Sequence, residues 1–259
     1  MSKQTWVIKL GGAVLNHSGA ANALFVAMKE IQQQDPSKQF VIVHGGGALV
    51  DKWLADAGFA TAKHQGLRIS PQEQMPYIVG ALAGCANKQL MAEAITAGLS
   101  PVGLCLYDAG FSTQQKLKAL GRVGSCQAHE VGMLAPILEY DRLPVVSSVG
   151  IGADGNLYNV NADEAAAAIA SKLGAELIFM TDVAAVLDGD KQPLTLLDGE
   201  QIQQLITEKV IVGGMEVKVK TSLHAAQHLR RGVYISSWKK PENLVALLNG
   251  EHVGTQIQP

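Results

Sequence analysis

Short runs of apolar, largely β-branched residues recur along the chain, separated by polar or glycine-rich segments. Runs of this length, apolar at nearly every position, are typical of strands that are buried on both faces of a sheet. The predicted strands are residues 6–10, 40–43, 101–106, 143–149, 177–180 and 233–236.

Amphipathic or alanine-rich segments of helical length lie between these runs. The predicted helices are residues 21–34, 49–57, 71–97, 162–173 and 215–230. Because strand and helix alternate, we predict an α/β fold with a mainly parallel sheet that is covered by helices on both faces. The break after the alanine-rich helix suggests an N-terminal lobe of residues 1–174 and a C-terminal lobe of residues 175–259.

Three segments interrupt the alternation and predict β-hairpins. Residues 110–127 show no helical period, and Asp154-Gly155 and Asp188-Gly189 are turn dipeptides between short apolar runs. The sheet structure should therefore be mixed. In contrast, residues 71–97 combine a wide apolar stripe with several small residues, which fits either a core helix or a helix at a subunit interface.

Composition supports the α/β prediction and narrows the range of partners. The 259 residues are 47% hydrophobic but only 5% aromatic, which favours helices packed on a sheet through small aliphatic side chains. A formal net charge of −2 argues against nucleic acid as the main partner. The absence of a long uncharged apolar stretch and of a basic leader followed by an apolar core predicts a soluble, cytoplasmic protein with no membrane partner.

Cysteine usage points away from a disulfide framework. Cys85, Cys105 and Cys126 are odd in number and contain no CxxC pair. We therefore expect buried free thiols rather than disulfides or a thiolate zinc site.

The first candidate for chemistry is a lysine inside an apolar strand. Lys9 is followed by Leu10 and then by Gly11 and Gly12. Burying an ammonium is costly unless it faces a site at the end of the strand, and the glycines allow backbone amides to approach a ligand. The alternative is an edge-strand lysine before an ordinary turn.

A second glycine cluster follows another predicted strand. His44 precedes Gly45, Gly46 and Gly47, and a helix is predicted directly afterwards. Free amides at the start of a helix suit a phosphate or carboxylate, so we predict an anion site here. His44 itself is more typical of a hydrogen-bonded structural histidine than of an acid or base.

Two common nucleotide-binding signatures do not apply. No GxxxxGK[ST] sequence occurs, which disfavours a P-loop. The pattern GxGxxG does occur at residues 150–155, but the residues after it alternate like a hairpin strand instead of starting a helix. Dinucleotide binding is therefore not predicted.

A third cluster of candidate residues surrounds the start of the alanine-rich helix. Asn159 and Asn161 would share one face of an extended segment, and Asn161 can cap the helix. Asp163 then lies in the first turn, where the helix dipole favours a carboxylate. Capping alone accounts for Asn161 and Asp163 but leaves Asn159 unexplained.

Two further cations are candidates. Gly213 and Gly214 open a predicted helix that carries Lys218 one turn later, an arrangement that suits phosphate but also fits a solvated helix lysine. Arg68 stands among apolar neighbours and has the donor geometry to bind a carboxylate. His224 and His228 are four residues apart but lack an intervening glutamate, so no metal pair is predicted.

In their order and spacing, these motifs resemble the amino acid kinase family over essentially the whole chain. The resemblance rests on residues 9–12, 44–47, 159–163 and 214–218, with residues 66–68 and 80–82 also fitting. It implies an open, mainly parallel αβα sandwich, the amino acid kinase fold, with added β-hairpins. It also implies transfer of the γ-phosphoryl group of ATP to the side-chain carboxylate of N-acetyl-L-glutamate in arginine biosynthesis.

The resemblance implies a role for each catalytic residue. Lys9 and Lys218 would stabilise the transferring phosphoryl group from opposite sides, and Asp163 would hold both ammonium groups. Gly12 and Gly45 would donate backbone amides to the phosphoryl oxygens.

Substrate and nucleotide contacts are implied in the same way. Gly45, Gly46, Arg68, Asn159 and Asn161 would bind the acylated amino acid in the N-terminal lobe. ATP would bind the C-terminal lobe, with Mg²⁺ carried by its phosphates and no protein metal ligand predicted. The implied nucleotide-contacting residues are Gly11, Thr181, Asp182, Val183, Ala184, Val186, Leu187, Val210, Gly213, Gly214, Met215 and Lys218.

A homodimer is also implied. The first predicted strand begins near Trp6, so we expect the arginine-insensitive dimeric type rather than the hexamer that uses an extra N-terminal helix. Residues 71–97 are the candidate dimer-forming helix. The alternatives are a carbamate kinase or another acid kinase of the family, and a noncatalytic nucleotide-binding sensor on the same fold.

Overall fold

The protein is described by a computed structural model covering residues 3–17, 19–64, 66–128 and 132–259. Its strands fall into one large sheet and three smaller ones. The strands are β1 Gln4–Leu10, β2 Lys38–His44, β3 Lys63–His64, β4 Leu67–Arg68, β5 Pro101–Leu104, β6 Phe111–Gln115, β7 Val123–Ala128, β8 Leu143–Ser147, β9 Val149–Ile151, β10 Leu157–Val160, β11 Glu176–Thr181, β12 Val186–Leu187, β13 Pro193–Leu194, β14 Leu196–Leu197, β15 Val233–Ser237 and β16 Thr255–Ile257.

Helices connect most of these strands, as the alternating pattern predicts. The α-helices are α1 Ala20–Gln34, α2 Gly47–Asp56, α3 Met75–Val79, α4 Asn87–Thr96, α5 Leu134–Glu139, α6 Ala162–Leu173, α7 Gly199–Thr207, α8 Gly213–Leu229 and α9 Glu242–Leu248. A π-helical segment, Gly80–Ala86, joins α3 to α4, and short 3₁₀ turns occur at Gly12–Asn16, Gln72–Gln74 and Lys118–Leu120.

The central sheet confirms the predicted mainly parallel α/β fold. Within the described residues its eight strands are ordered β14-β16-β15-β11-β1-β2-β8-β5. Strand β1 is parallel to both neighbours, with Lys9 paired to Phe179 on β11 and to Val43 on β2. Only the pairing of β15 with β16 is antiparallel among the described pairs of this sheet. The sheet is continuous across the predicted lobe junction, because β1 and β11 are hydrogen-bonded neighbours.

Helices cover both faces of this sheet and give it two separate apolar layers. Trp6, Ile8 and Leu10 face a core formed with α1, α4 and α9. Val7 faces the opposite core, which includes α6 and α8. Because side chains alternate along a strand, Lys9 points to the same face as Val7, toward α6 and α8.

The three predicted hairpins are present. Strands β6 and β7 are antiparallel, as are β9 with β10 and β12 with β13. The GxGxxG sequence spans β9 and the turn to β10, and a Cβ on Gly150 would lie 1.9 Å from Thr113 Oγ1. Gly150 is therefore required by packing within the small sheet and does not open a helix.

Three predicted elements are shorter or divided in the structure. The predicted strand 143–149 separates into β8 and β9 at Ser148, whose N–H donates to the His44 carbonyl while β9 pairs in the smaller sheet. The predicted strand 101–106 ends at Leu104, because the Asp108 carboxylate accepts the Cys105 N–H and turns the chain. The predicted helix 71–97 consists of a 3₁₀ turn, α3, the π-helical segment and α4.

The three cysteines are free, but their predicted burial is wrong for Cys85, which is exposed on the π-helical segment. Cys105 and Cys126 are half-buried, and desolvation raises the pKa of Cys126 to about 12. Of the helices that the structure describes, none combines the length and the apolar character needed to cross a membrane.

Candidate active site

The candidate site lies at the carboxyl end of the central sheet, beside β1. The chain continues from β1 to β2 on one side of this strand, and β11 pairs with its other side, so the strand order runs in opposite directions from β1. Such a switch point leaves a crevice between the loops of adjacent strands. The loops after β1 and β2 touch there: a Cβ on Gly12 would approach Gly46 Cα and Gly47 N to 3.2 Å. The two glycine clusters that the sequence singled out are thus parts of one site.

Lys9 reaches the start of α6. Its Nζ lies 2.7 Å from Asp163 Oδ1, and both side chains are largely shielded from solvent. Asn161 caps α6, its side-chain oxygen accepting the Asp163 N–H at 2.8 Å and the Glu164 N–H at 3.2 Å. This cap fixes the first turn of α6 and so holds the carboxylate that orients Lys9.

Lys218 approaches the same crevice from α8 and pairs with a different carboxylate. Its ammonium forms an ion pair with Asp182, the residue after β11. The hydrogen bond from Lys218 holds the pKa of Asp182 below its usual value. In this conformation Asp163 partners Lys9 and Asp182 partners Lys218, whereas the family resemblance implies that Asp163 holds both ammonium groups.

Two pockets meet at these residues. Both are lined by Lys9, Gly12 and Asp163. The first extends over the end of β11 toward α8 and is also lined by Gly11, Ala13, Phe179, Met180, Thr181, Asp182, Lys218, Thr221, Ser222 and Trp238. The second extends along the glycine loop after β2 and is also lined by Gly45, Gly46, Gly47, Val50, Lys63, Gly66, Arg68, Leu82, Ser148, Asn159, Val160, Asn161 and Ala162.

The second pocket is electropositive. Lys9, Lys63 and Arg68 line it against one lining carboxylate, Asp163. Arg68 is held by an ion pair with Asp51 of α2 and donates to the Gly47 carbonyl at 3.1 Å. That ion pair lowers the pKa of Asp51. The guanidinium is therefore fixed beside the glycine loop, with further N–H donors available for an anion.

Amide side chains complete the polar wall of this pocket. Asn159 donates to Ser70 Oγ at 3.1 Å. Asn161 lines the pocket while its oxygen caps α6. Gly45 N–H donates weakly to the Leu10 carbonyl, at 3.4 Å.

His44 is the structural histidine that the sequence suggested. It is fully buried, and burial lowers its pKa to about 4. Its ring nitrogens lie 3.0 Å from the Gly45 carbonyl oxygen and 3.1 Å from Asn87 Nδ2. The imidazole is therefore neutral at physiological pH.

The predicted nucleotide residues divide into two groups. Gly11, Thr181, Asp182 and Lys218 line the first pocket. The others do not line this pocket but belong to neighbouring segments of the chain. Val183 and Ala184 follow β11, Val186 and Leu187 form β12, Val210 precedes α8, and Gly213, Gly214 and Met215 form the first turn of α8. Val186 is fully buried in the core, and its N–H donates to Thr255 Oγ1 at 2.8 Å.

Sequence reasoning missed several residues of the site. Lys63 lies on a short hairpin that carries no local motif. Asn87 lines neither pocket but contacts His44 behind the glycine loop, and no local motif surrounds it. Trp238 lines the first pocket while 95% buried, and its indole N–H has no acceptor among the described residues. A tryptophan directly after the buried strand β15 was the available signal, since an indole N–H usually requires a partner.

Comparisons with known proteins point to one family. A sequence model described as the amino acid kinase family matches residues 4–237. The chain is 48% identical over 258 residues to an acetylglutamate kinase of Aeromonas salmonicida, with 99% of each chain covered. It is 47% identical to an acetylglutamate kinase of Moritella profunda, covering 97% of this chain and 95% of that protein. Among solved structures, smu.665 from Streptococcus mutans is 28% identical with a TM-score of 0.77, covering 98% of each chain.

Proposed function

The chain belongs to the amino acid kinase family, and we therefore propose that it phosphorylates the side-chain carboxylate of N-acetyl-L-glutamate with ATP. The products are N-acetyl-L-glutamyl 5-phosphate and ADP, and the reaction serves arginine biosynthesis. Curated relatives named acetylglutamate kinase, which match nearly the full chain, support this substrate.

The observation that carries the proposal is the pair of pockets that meet at Lys9, Gly12 and Asp163. One pocket carries Lys218 and suits a nucleotide phosphate chain. The other is lined by three cations and one carboxylate, which suits a small dianionic amino acid derivative. A donor and an acceptor bound in these pockets would face each other across the Lys9 ammonium.

The reaction needs little covalent chemistry from the protein. An oxygen of the substrate carboxylate attacks the γ-phosphorus of ATP, a new P–O bond forms, and the bond to the β,γ-bridging oxygen breaks. The electron pair of that bond leaves with ADP. Because the attacking carboxylate is already ionised, no general base is required, and catalysis depends on positioning and charge stabilisation.

The lysines supply that stabilisation. Lys9 neutralises charge on the moving phosphoryl group from the acceptor side, and Lys218 does so from the nucleotide side. Asp163 keeps Lys9 oriented, at 2.7 Å in this structure. Lys218 exchanges its Asp182 partner for phosphate oxygens when ATP binds, and Asp163 then serves both ammonium groups. Gly12 and Gly45 donate amides to the phosphoryl oxygens, with the Gly45 N–H leaving the Leu10 carbonyl.

The electropositive second pocket binds the acceptor substrate in this proposal. Arg68 and Asn159 bind the α-carboxylate and the acylated amine, while Gly46 and Asn161 form the surrounding wall. ATP would enter as its magnesium complex, because Mg²⁺ at nucleotide sites is held mainly by the phosphates and needs few protein ligands. Val186 is fully buried in the core, so the prediction that it contacts the nucleotide is not part of the proposal. The other predicted nucleotide residues between Val183 and Met215 surround the base and ribose.

The wider organisation is part of the proposal. Residues 1–174 bind the acyl amino acid and form a homodimer through residues 71–97, and residues 175–259 bind ATP. Consumption of ATP in amino acid biosynthesis supports a cytoplasmic location.

A substrate panel tests the reaction. ADP release is measured with ATP and, separately, N-acetyl-L-glutamate, glutamate, aspartate, carbamate or UMP. We expect turnover with N-acetyl-L-glutamate to be at least 100-fold above turnover with every other acceptor. Of the acceptors tested, only this one is a dicarboxylate with an acylated amine, which is what the proposed pocket binds. Faster turnover with carbamate or another acid would assign a different kinase of the family. ATP binding without turnover on any acceptor would support a nucleotide sensor.

A further inference from the structure

A buried hydrogen-bonded chain lies directly behind the glycine loop that follows β2. His44 Nδ1 is 3.0 Å from the Gly45 carbonyl oxygen, and His44 Nε2 is 3.1 Å from Asn87 Nδ2. Asn87 Nδ2 also lies 2.9 Å from the Val145 carbonyl oxygen. His44 and Asn87 are 0% and 1% exposed, so these contacts are made without competition from water.

The orientation of Asn87 determines which histidine nitrogen carries the proton. Asn87 Oδ1 accepts from Lys88 Nζ at 3.1 Å, so Nδ2 is the atom that faces His44 and Val145. Both hydrogens of Nδ2 are then donated, one to each partner. Since Asn87 donates to Nε2, a neutral His44 must carry its hydrogen on Nδ1 and donate it to the Gly45 carbonyl.

This hydrogen bond fixes the direction of the next peptide N–H. In a trans peptide the carbonyl and the N–H point in opposite directions, so the Gly46 N–H is directed away from the imidazole. Gly46 is buried and lines the second pocket. Among the residues that the structure describes, this N–H has no protein acceptor. Backbone N–H groups of buried residues are nearly always paired, so the acceptor for this one must come from the pocket, as water or as an oxygen of a bound ligand.

The helical segment that carries Asn87 also supports Gly46 from the side. A Cβ on Gly46 would lie 2.9 Å from Leu82 Cδ2 and 3.7 Å from Ala86 Cβ. Leu82 and Ala86 belong to the π-helical segment, and Asn87 is the first residue of α4 after it. Inserted π turns are frequent at functional sites, where they redirect side chains. Here the turn brings Leu82 onto the loop and Asn87 onto His44.

We propose that His44 and Asn87 are positioning residues that hold the Gly45–Gly46 peptide so that the Gly46 N–H donates to an anionic oxygen of the acceptor substrate. Neither side chain contacts the substrate. Their effect passes through the orientation of one peptide group. The inference rests on the proposed function for the identity of that substrate, but the hydrogen-bond arrangement itself can be tested independently.

Two amide substitutions separate positioning from packing. In His44→Asn the side-chain amide can occupy the place of Nδ1 and still donate to the Gly45 carbonyl. In His44→Gln the amide reaches the place of Nε2, which keeps a contact with Asn87 but loses the donor to Gly45. His228→Gln, at an exposed site on α8, is the matched control.

The readout is steady-state kinetics with thermal melting of each variant. We expect His44→Gln to raise the KM for N-acetyl-L-glutamate about 10- to 100-fold, the range for losing a hydrogen bond to a charged group. The KM for ATP should stay within about 2-fold, and His44→Asn should recover most of the loss. Equal defects in the two His44 variants, or equal changes in both KM values, would overturn the inference. An unmodified enzyme without activity on N-acetyl-L-glutamate would instead contradict the proposed function.

The position of the ring proton on His44 can be measured independently of activity. Long-range ¹H–¹⁵N correlation spectra of the unmodified protein should show His44 protonated on Nδ1 alone at pH 7. Asn87→Asp replaces the donor at Nε2 by an acceptor, so His44 should become protonated on Nε2 in that variant. The only charged group recorded near His44 among the described residues is Lys88, which is unchanged. A proton on Nε2 in the unmodified protein would contradict the positioning role.

Discussion

At the scale of single residues, the site depends on which carboxylate pairs with each lysine and on the burial of one histidine. Lys9 and Lys218 lie in one crevice without strong mutual repulsion, because each has its own carboxylate, Asp163 and Asp182. His44 is kept neutral by complete burial. Single substitutions at these positions should therefore separate catalysis, stability and pH dependence.

Removing either lysine should abolish most of the activity without unfolding the chain. We expect Lys9→Ala and Lys218→Ala each to lower kcat about 100-fold or more, because a preorganised donor to the transferring group is lost. Matched controls are Lys3→Ala, before β1, and Lys220→Ala, on α8, whose ion pairs are exposed. Near-normal kcat in either site variant would contradict the two-lysine mechanism.

Burial of His44 should make the protein less stable as the pH falls. Its pKa is about 4 in the folded state against an ordinary value of 6.5. Above pH 6.5 the histidine is neutral in both the folded and the unfolded chain, so the free energy of unfolding has its full value. As the pH falls toward 4, only the unfolded chain takes up the proton, and the free energy of unfolding decreases. The loss is about 3 kcal/mol by the linkage relation.

Denaturant unfolding between pH 7.5 and pH 4.5 tests this effect. Compared with the unmodified protein, His44→Asn should have a smaller decrease in the free energy of unfolding over this range, since asparagine does not titrate. An exposed control, His228→Asn, should retain the decrease. The same pH dependence in all three proteins would exclude His44 as its source.

At the scale of elements, the glycine loop after β2 is shaped by the long helical segment beside it. Val50 and Leu54 of α2 pack with Ile78 and Leu82 into a separate small apolar cluster. That cluster holds the loop and the helical segment together. The loop should therefore respond to changes in packing as well as to changes in charge.

Gly46→Ala should disturb this contact. The added methyl would meet Leu82 Cδ2 at 2.9 Å, so Leu82 or the loop must move, at a cost of about 1–3 kcal/mol in the free energy of unfolding. We also expect kcat/KM for N-acetyl-L-glutamate to fall, since Gly46 and Leu82 line its pocket.

Gly199→Ala at the first residue of α7 is the control, because its methyl would make only an ordinary contact, 3.5 Å from Leu223. Adding Leu82→Ala to Gly46→Ala should restore part of the kcat/KM by providing space. If Gly46→Ala behaves like Gly199→Ala, the loop is less constrained than the distances indicate.

At the scale of the whole molecule, the central sheet joins the two halves of the chain. Strand β1 pairs with β2 on one side and with β11 on the other, so both pockets are built around the end of one strand. The outer side of the segment at residues 71–97 remains exposed, including Cys85, Tyr77 at 38% and Ile95 at 60%. This surface is the proposed dimer contact.

Gly84→Arg tests that contact. No heavy atom lies within 4 Å of a Cβ at Gly84, so the isolated chain should tolerate the substitution. Across a close helix contact the arginine would prevent association, and light scattering should then report a monomer. Leu117→Arg, at an exposed position outside this segment, should remain dimeric. A dimer that survives Gly84→Arg would place the interface elsewhere.

Much of the fold could be predicted from the sequence alone. Apolar runs separated by helical segments predicted the parallel sheet. The glycines after residues 9 and 44 predicted an anion site, and the structure brings these two glycine loops together at the carboxyl edge of the sheet. The prediction of the fold succeeds because strand burial, helix capping and turn chemistry are local properties that residue type and spacing control. The hairpins at Asp154 and Asp188 were predictable for the same reason.

Tertiary structure alone decided which distant groups meet. The contacts of His44 with Asn87, of Arg68 with Asp51 and of Lys218 with Asp182 join residues 43, 17 and 36 positions apart. The π-helical turn that delivers Leu82 and Asn87 leaves no local mark in the sequence. Such contacts depend on the packing of several elements at once. Residue type and spacing indicated the sheet edge that carries the glycine loops, whereas the folded chain determined which way the amides and ammonium groups there face.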